Sequence, residues 1–124
     1  MKRFITAALW ISLPGLAQVP PPAADAIDRV HLAARERNMV ALRQSMMPQF
    51  KWTFGPGDET ADEAIRQWGK DPGALRQLAI VTGGKCELMD PATVQCPAGA
   101  GRGFRAGFHL VDGHWKLDSF LAGD

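Results

Sequence analysis

The dipeptide Asp112-Gly113 constrains this chain more than any other feature. It lies between two segments that alternate apolar and polar residues, Phe104–Val111 and His114–Leu121. Asp-Gly suits the two-residue hairpin turn in which both central residues take positive φ. Such a turn sets the register: Val111 faces His114, Leu110 faces Trp115, and the ladder continues unbroken from there. One face then carries Phe104, Ala106, Phe108 and Leu110 beside Trp115, Leu117, Ser119 and Leu121. The other carries Arg105, Gly107, His109 and Val111 beside His114, Lys116, Asp118 and Phe120. A slip of one residue turns Phe104, Phe108, Trp115 and Leu117 to solvent, so the pairing is strongly specified. The first face is the expected core. Phe120 is the one large aromatic on the second face, and with Val111 it forms a candidate interface for a protein partner or a homodimer.

The upstream elements follow from caps and periodicity. Val19-Pro20-Pro21-Pro22-Ala23 reads as a stiff spacer of polyproline type, so residues 18–24 are expected to link rather than pack. Asp25 offers a helix N-cap, and Ile27, Val30, His31 and Ala34 share one helical face. Asn38 marks a break and a fresh N-cap for a second helix over Met39–Met47, with Val40, Leu42 and Met46 inward and Pro48 ending it; one continuous helix bending at Asn38 is the alternative. Phe50-Lys51-Trp52-Thr53-Phe54 alternates as a strand. Thr60-Ala61-Asp62-Glu63 is a capping box opening a helix with Ala64, Ile65 and Trp68 inward. Asp71-Pro72 repeats the start signal for a helix through Leu75, Leu78 and Ala79, stopped at Gly83-Gly84. Thr93–Cys96 reads as a short strand. These elements predict an α+β domain over residues 25–124, with the N-terminal helices packed on one face of a small antiparallel sheet that ends in the C-terminal hairpin.

Composition bounds what such a domain can be. At 124 residues and 46% hydrophobic the chain has material for one core, and 14 Lys plus Arg against 13 Asp plus Glu exclude a basic nucleic-acid binder. Met1–Ala17 has a short cationic head, an apolar run from Phe4 to Leu13 and small residues Gly15 and Ala17 before Gln18. That is the pattern of a secretory signal peptide cut after Ala17. Ten apolar residues rise only about 15 Å as a helix, half of what a bilayer requires, so no stable membrane anchor is expected. The domain is read as periplasmic or secreted. Cys86 and Cys96 are then expected to form a disulfide, since two cysteines in an exported chain pair more readily than they bind a metal at this spacing.

The chemistry-bearing groups resolve mostly into structural roles. His109, His114 and Asp118 invite a metal reading, but His114 and Asp118 lie about 13 Å apart along a strand, and two ligands do not make a zinc site. The face is expected to be solvated. Thr82-Gly83-Gly84-Lys85 lacks the first glycine of a phosphate loop, and Gly99, Gly101 and Gly103 precede a strand rather than a helix, so both are loop glycines. No metal or other cofactor is expected. His31 and Ser119 are polar residues at positions patterned as apolar. The bland account is a satisfied boundary histidine and a buried hydroxyl; the sharper one is a ligand pocket between helices and sheet, with Trp52, Phe104 and Phe108 as walls.

The order of paired N-terminal helices, the passage Ala41-Leu-Arg-Gln-Ser-Met-Met-Pro-Gln-Phe-Lys-Trp-Thr-Phe54, further helices and a closing hairpin resembles the NTF2-like (SnoaL/ketosteroid-isomerase-type) fold. Phe104-Arg-Ala-Gly-Phe108, Asp112-Gly-His-Trp-Lys-Leu117 and Leu121-Ala-Gly-Asp124 are also similar to small exported bacterial proteins of unassigned function. The resemblance implies helices against a curved sheet, an arrangement related to the cystatin-like one, and a cone-shaped cavity. The isomerase branch uses a tyrosine as oxyanion donor, and this chain has none. Two functions remain in play: non-catalytic binding of a small apolar or amphipathic ligand or a protein partner, and a lyase- or isomerase-type enzyme with His31 as general base.

Overall fold

The computed structural model describes residues 18–53 and 57–123, so the expected leader Met1–Ala17 lies outside the described residues, as do Phe54, Gly55, Pro56 and Asp124. The first helix, α1, spans Pro21–Glu36. It starts five residues before the position expected from Asp25 as N-cap, and the prolines are the reason. Pro21 sits at the first helical position, where its fixed φ fits and its missing N–H has no partner to lose. Ala23 is fully buried, so this stretch packs as helix rather than serving as a free spacer. The helix ends at Arg37, which adopts the left-handed conformation (φ 55°), and Asn38 N–H donates to the Ala33 carbonyl at 2.9 Å. That six-to-one bond closes a Schellman stop, usually made by glycine.

Asn38 then caps α2, Met39–Gln44, its side chain accepting from Ala41 N–H at 3.1 Å. This helix is shorter than expected, and Val40 is 70% exposed rather than inward. Pro48 does not end a helix. It lies inside strand β1, Met46–Trp52, an edge strand where a residue without an N–H is tolerated. Met46, Phe50 and Trp52 of β1 point into the core. Helix α3, Ala61–Lys70, is capped by Thr60, and α4, Pro72–Thr82, by Asp71, as expected from the sequence. Four strands follow: β2 (Glu87–Asp90), β3 (Thr93–Cys96), β4 (Arg105–Val111) and β5 (His114–Leu121).

The sheet runs β1-β5-β4-β3-β2. It is mixed rather than purely antiparallel, because β1 runs parallel to β5. β5 is therefore an interior strand, held by β4 on one side and by the edge strand β1 on the other. Continuing the β2–β3 register places Cys86 opposite Cys96, and the two are joined by a disulfide.

The hairpin turn forms as the sequence requires, with φ of 51° at Asp112 and 79° at Gly113. The expected ladder holds from Val111–His114 through Phe108–Leu117. It then slips by one, so that Gly107 faces Ser119 and Ala106 faces Phe120. The extra residue is a β-bulge at Asp118, and it inverts the facing of the β5 residues beyond it. Ser119, expected inside, moves to the open face, while Phe120, expected outside, becomes fully buried. The exposed interface formed by Val111 and Phe120 therefore does not exist. The core gains an aromatic cluster instead: the Trp68 ring stands edge-on to Phe50 at 5.5 Å and to Phe120 at 5.8 Å, with Phe104 6.0 Å from Phe120. The indole N–H of Trp68 is buried without a hydrogen-bond acceptor among the described residues.

Candidate functional site

Helices α1, α3 and α4 pack on one face of the sheet and leave the other open. The space between helices and sheet is occupied by Phe50, Trp68, Phe108, Leu117 and Phe120, each fully buried. Of the five residues that sequence patterning grouped as one pocket, Phe108 is part of this packing. Trp52 is nearly so, its indole N–H donating to the Asp58 carbonyl at 3.0 Å, and Phe104 is half-buried at the edge of the cluster.

His31 stands elsewhere, half-buried between α1 and the end of α4. Its Nδ1 lies 2.8 Å from the Ala79 carbonyl and 3.3 Å from Thr82 Oγ1. The Thr82 hydroxyl in turn donates to the Leu78 carbonyl at 2.7 Å. The imidazole thus ties α1 to the last turn of α4, where carbonyls lack helical partners. It borders a shallow hollow of about 270 Å³ with Val19, Asp28 and Gly83. Ser119 lies on the opposite side of the sheet. The two polar residues that stood out in the sequence are therefore not brought together.

What Ser119 joins is a groove of about 600 Å³ on the open face. Its floor is Gly107 of β4 with Asp118 and Ser119 of β5; Met47, Gln49 and Lys51 of β1 form one wall, and Thr93 and Gln95 of β3 the other. Met89 and Glu59 stand at its rims. The bulge builds this floor, because it brings Asp118 and Ser119 forward on consecutive positions. The glycine opposite is required: a Cβ on Gly107 would lie 2.4 Å from Ser119 Oγ and 3.1 Å from Asp118 Oδ1.

Asp118 is half-buried, and this burial raises its carboxyl above the usual carboxylate range. The charge of His109, a hydrogen bond with the Ser119 side chain and the charge of Lys51 oppose that rise without cancelling it. His109 stands beside the groove, its Nδ1 3.5 Å from Thr93 Oγ1. Sequence reasoning placed Asp118 on a solvated face and missed it. The signal was present in Leu117-Asp118-Ser119-Phe120, where two polar residues separate two large apolar ones and break the two-residue period.

Among the described residues, no three His, Cys, Asp or Glu side chains come together to hold a metal ion. The glycine loop over residues 97–103 uses its amide internally, since Gly99 N–H donates to Glu87 Oε2 at 3.0 Å.

No protein-family model matches the sequence, and no curated protein is significantly similar to it. Solved structures are similar in shape. An NTF2-like protein of unknown function from Shewanella oneidensis MR-1 superposes with a TM-score of 0.54 at 13% identity, covering 83% of this chain and 97% of its own. A candidate ketosteroid isomerase from Shewanella frigidimarina NCIMB 400 superposes with a TM-score of 0.52 at 11% identity, covering 86% and 98%. Identities this low speak to the backbone and not to chemistry. Helices stacked on one face of a mixed five-stranded sheet, together with these likenesses, give this chain an NTF2-like fold.

Proposed function

We propose that this protein is a non-catalytic, exported binding domain that holds a small amphipathic ligand in the groove on the open face of its sheet. One observation carries the reading: a half-buried carboxylate and a hydroxyl form the floor of a groove large enough for a small ligand, opposite a face whose interior is already filled with side chains. Small-molecule sites combine apolar contact with a few convergent polar groups. Met47 and Met89 supply adaptable apolar contact. The enzymatic alternative assigned the general base to His31, whose Nδ1 is engaged with α4 and whose ring lies across the sheet from the groove. Export is supported by the paired cysteines, since disulfides persist in oxidising compartments. Among the described residues, no helix is long and apolar enough to cross a membrane.

Native mass spectrometry of the protein recovered from the extracytoplasmic fraction of producing cells tests the proposal. The expected result is a chain beginning at Gln18, carrying the disulfide, with a small molecule retained. That molecule is lost in Gln49→Trp and in Gln95→Trp, which fill the groove from β1 and from β3. A bare wild-type chain, or a bound species that both variants retain, overturns the reading.

A further inference from the structure

We infer that the groove selects a ligand bearing a primary amine or similar cationic head on an apolar body; this rests on the groove being the binding site. The charged side chains lining it among the described residues are Lys51, Glu59 and Asp118, two carboxylates against one ammonium. They are not equivalent. Lys51 on the wall and Glu59 at the rim are both exposed, where water screens them, whereas Asp118 is half-buried at the floor. A charge is worth most where water is scarce, so the floor decides which head group enters.

The floor offers acceptors. The Asp118 carboxylate and the Ser119 oxygen lie side by side at the bulge, both close to Gly107, and Gln49 and Gln95 add a side-chain amide from each wall. An ammonium has three donors and no acceptor, which matches such a set, and each bond to the carboxylate is charge-assisted. A carboxylate or phosphate head meets the opposite case: it would desolvate beside Asp118 with Lys51 as the one cation in the lining. Asp118 is half-buried and forms no ion pair with a cationic side chain among the described residues, and a cationic ligand supplies that partner. The body of the ligand then lies against Met47, Met89 and Leu121. His109 beside the groove and Lys51 on the edge strand act as resident competitors, since both already draw on the Asp118 field.

The test uses three matched probes, hexylamine, hexanol and hexanoate, titrated at neutral pH into the full-length mature protein and followed by amide chemical shifts. Hexylamine is expected to shift the amides of residues 107, 118 and 119 and to bind roughly tenfold more tightly than hexanol, with hexanoate weakest. Asp118→Asn should bring amine and alcohol to within about twofold of each other, and Lys51→Gln should strengthen amine binding alone. If all three probes bind the groove alike and neither variant changes their order, the cationic selectivity is wrong while the groove remains a binding site. If none shifts those amides, the groove is not the site and the proposed function fails with it.

Discussion

Replacing Phe120 with alanine tests the bulge directly, because the two possible registers place this ring in opposite environments. In the unbroken ladder Phe120 is a surface side chain, and truncation changes stability by no more than about 0.5 kcal/mol. In the observed register it is fully buried, with Trp68 edge-on at 5.8 Å and Phe104 at 6.0 Å. Removing a buried phenyl group loses its transfer free energy, about 2–3 kcal/mol, and leaves a cavity that rigid neighbours fill only in part. Phe-to-Ala substitutions in cores cost about 3–5 kcal/mol in total. Trp68, itself buried between Phe50 and the missing ring, has little room to relax, so the upper half of that range is expected. A domain of about 100 residues has roughly 5–15 kcal/mol of stability to lose, and each kcal/mol lowers its melting temperature by about 4–8 °C. Urea unfolding followed by tryptophan fluorescence should therefore show a midpoint far below wild type with an unchanged slope. The companion change Ser119→Val separates the registers from the other side. It should be near neutral on the open face, whereas in the unbroken ladder it would fill a core position and stabilise. A Phe120→Ala variant that unfolds within about 1 kcal/mol of wild type would refute the bulge.

Four further outcomes are expected. Reducing the Cys86–Cys96 disulfide, or replacing both cysteines with alanine, should cost about 2–3 kcal/mol for a loop of ten-residue separation, and hydrogen exchange should show β2 losing protection before the centre of the sheet. Arg37→Gly should stabilise by about 0.5–1 kcal/mol in thermal unfolding, since the Schellman stop holds a non-glycine residue at positive φ. Asp118→Asn should stabilise at neutral pH but not at pH 3: burial raises the folded-state carboxyl above 3.8, so wild-type stability falls as pH climbs from that value through the folded pKa, and the amide removes this dependence. Trp68→Phe should cost under about 2 kcal/mol, because losing an unpartnered buried N–H offsets part of the lost packing; a loss beyond about 3 kcal/mol would mean that the N–H has a partner.

Local chemistry was legible in the sequence wherever one residue decides a conformation. Asp112-Gly113 dictated its turn, and Asn38, Thr60 and Asp71 each cap the helix they were expected to cap. Strand β3 and the cysteine pair also stand where spacing put them. The misses share a cause, which is that tertiary burial outweighed a local preference. At the bulge, shifting the ladder loses about one hydrogen bond, worth near 1 kcal/mol net, and places a phenyl ring worth more than that among Trp68 and Phe104. No pattern confined to β4 and β5 contains Trp68, so hairpin logic alone could not weigh the exchange. The parallel pairing of β1 with β5 was equally out of reach, since it depends on how α3 and α4 return the chain. The candidate site inherits both misses: its floor is the bulge, and one of its walls is β1.

The place of β5 between β4 and β1 has a consequence for the order in which the molecule assembles. Strands β2 to β5 form a run of sequence neighbours, joined by two tight turns and the loop over residues 97–104, and each pairs at small loop-closure cost. Strand β1 must wait for a partner that lies beyond two helices and three strands, with Met46 meeting Leu117 only once that whole stretch is in place. Non-local pairing of this kind slows folding more than it limits final stability. Until β1 docks, β5 presents a bare edge beside the incomplete aromatic cluster, and an open strand edge beside apolar surface is where chains join to each other instead. Yield on refolding should therefore depend on protein concentration more steeply than the stability of the finished fold suggests.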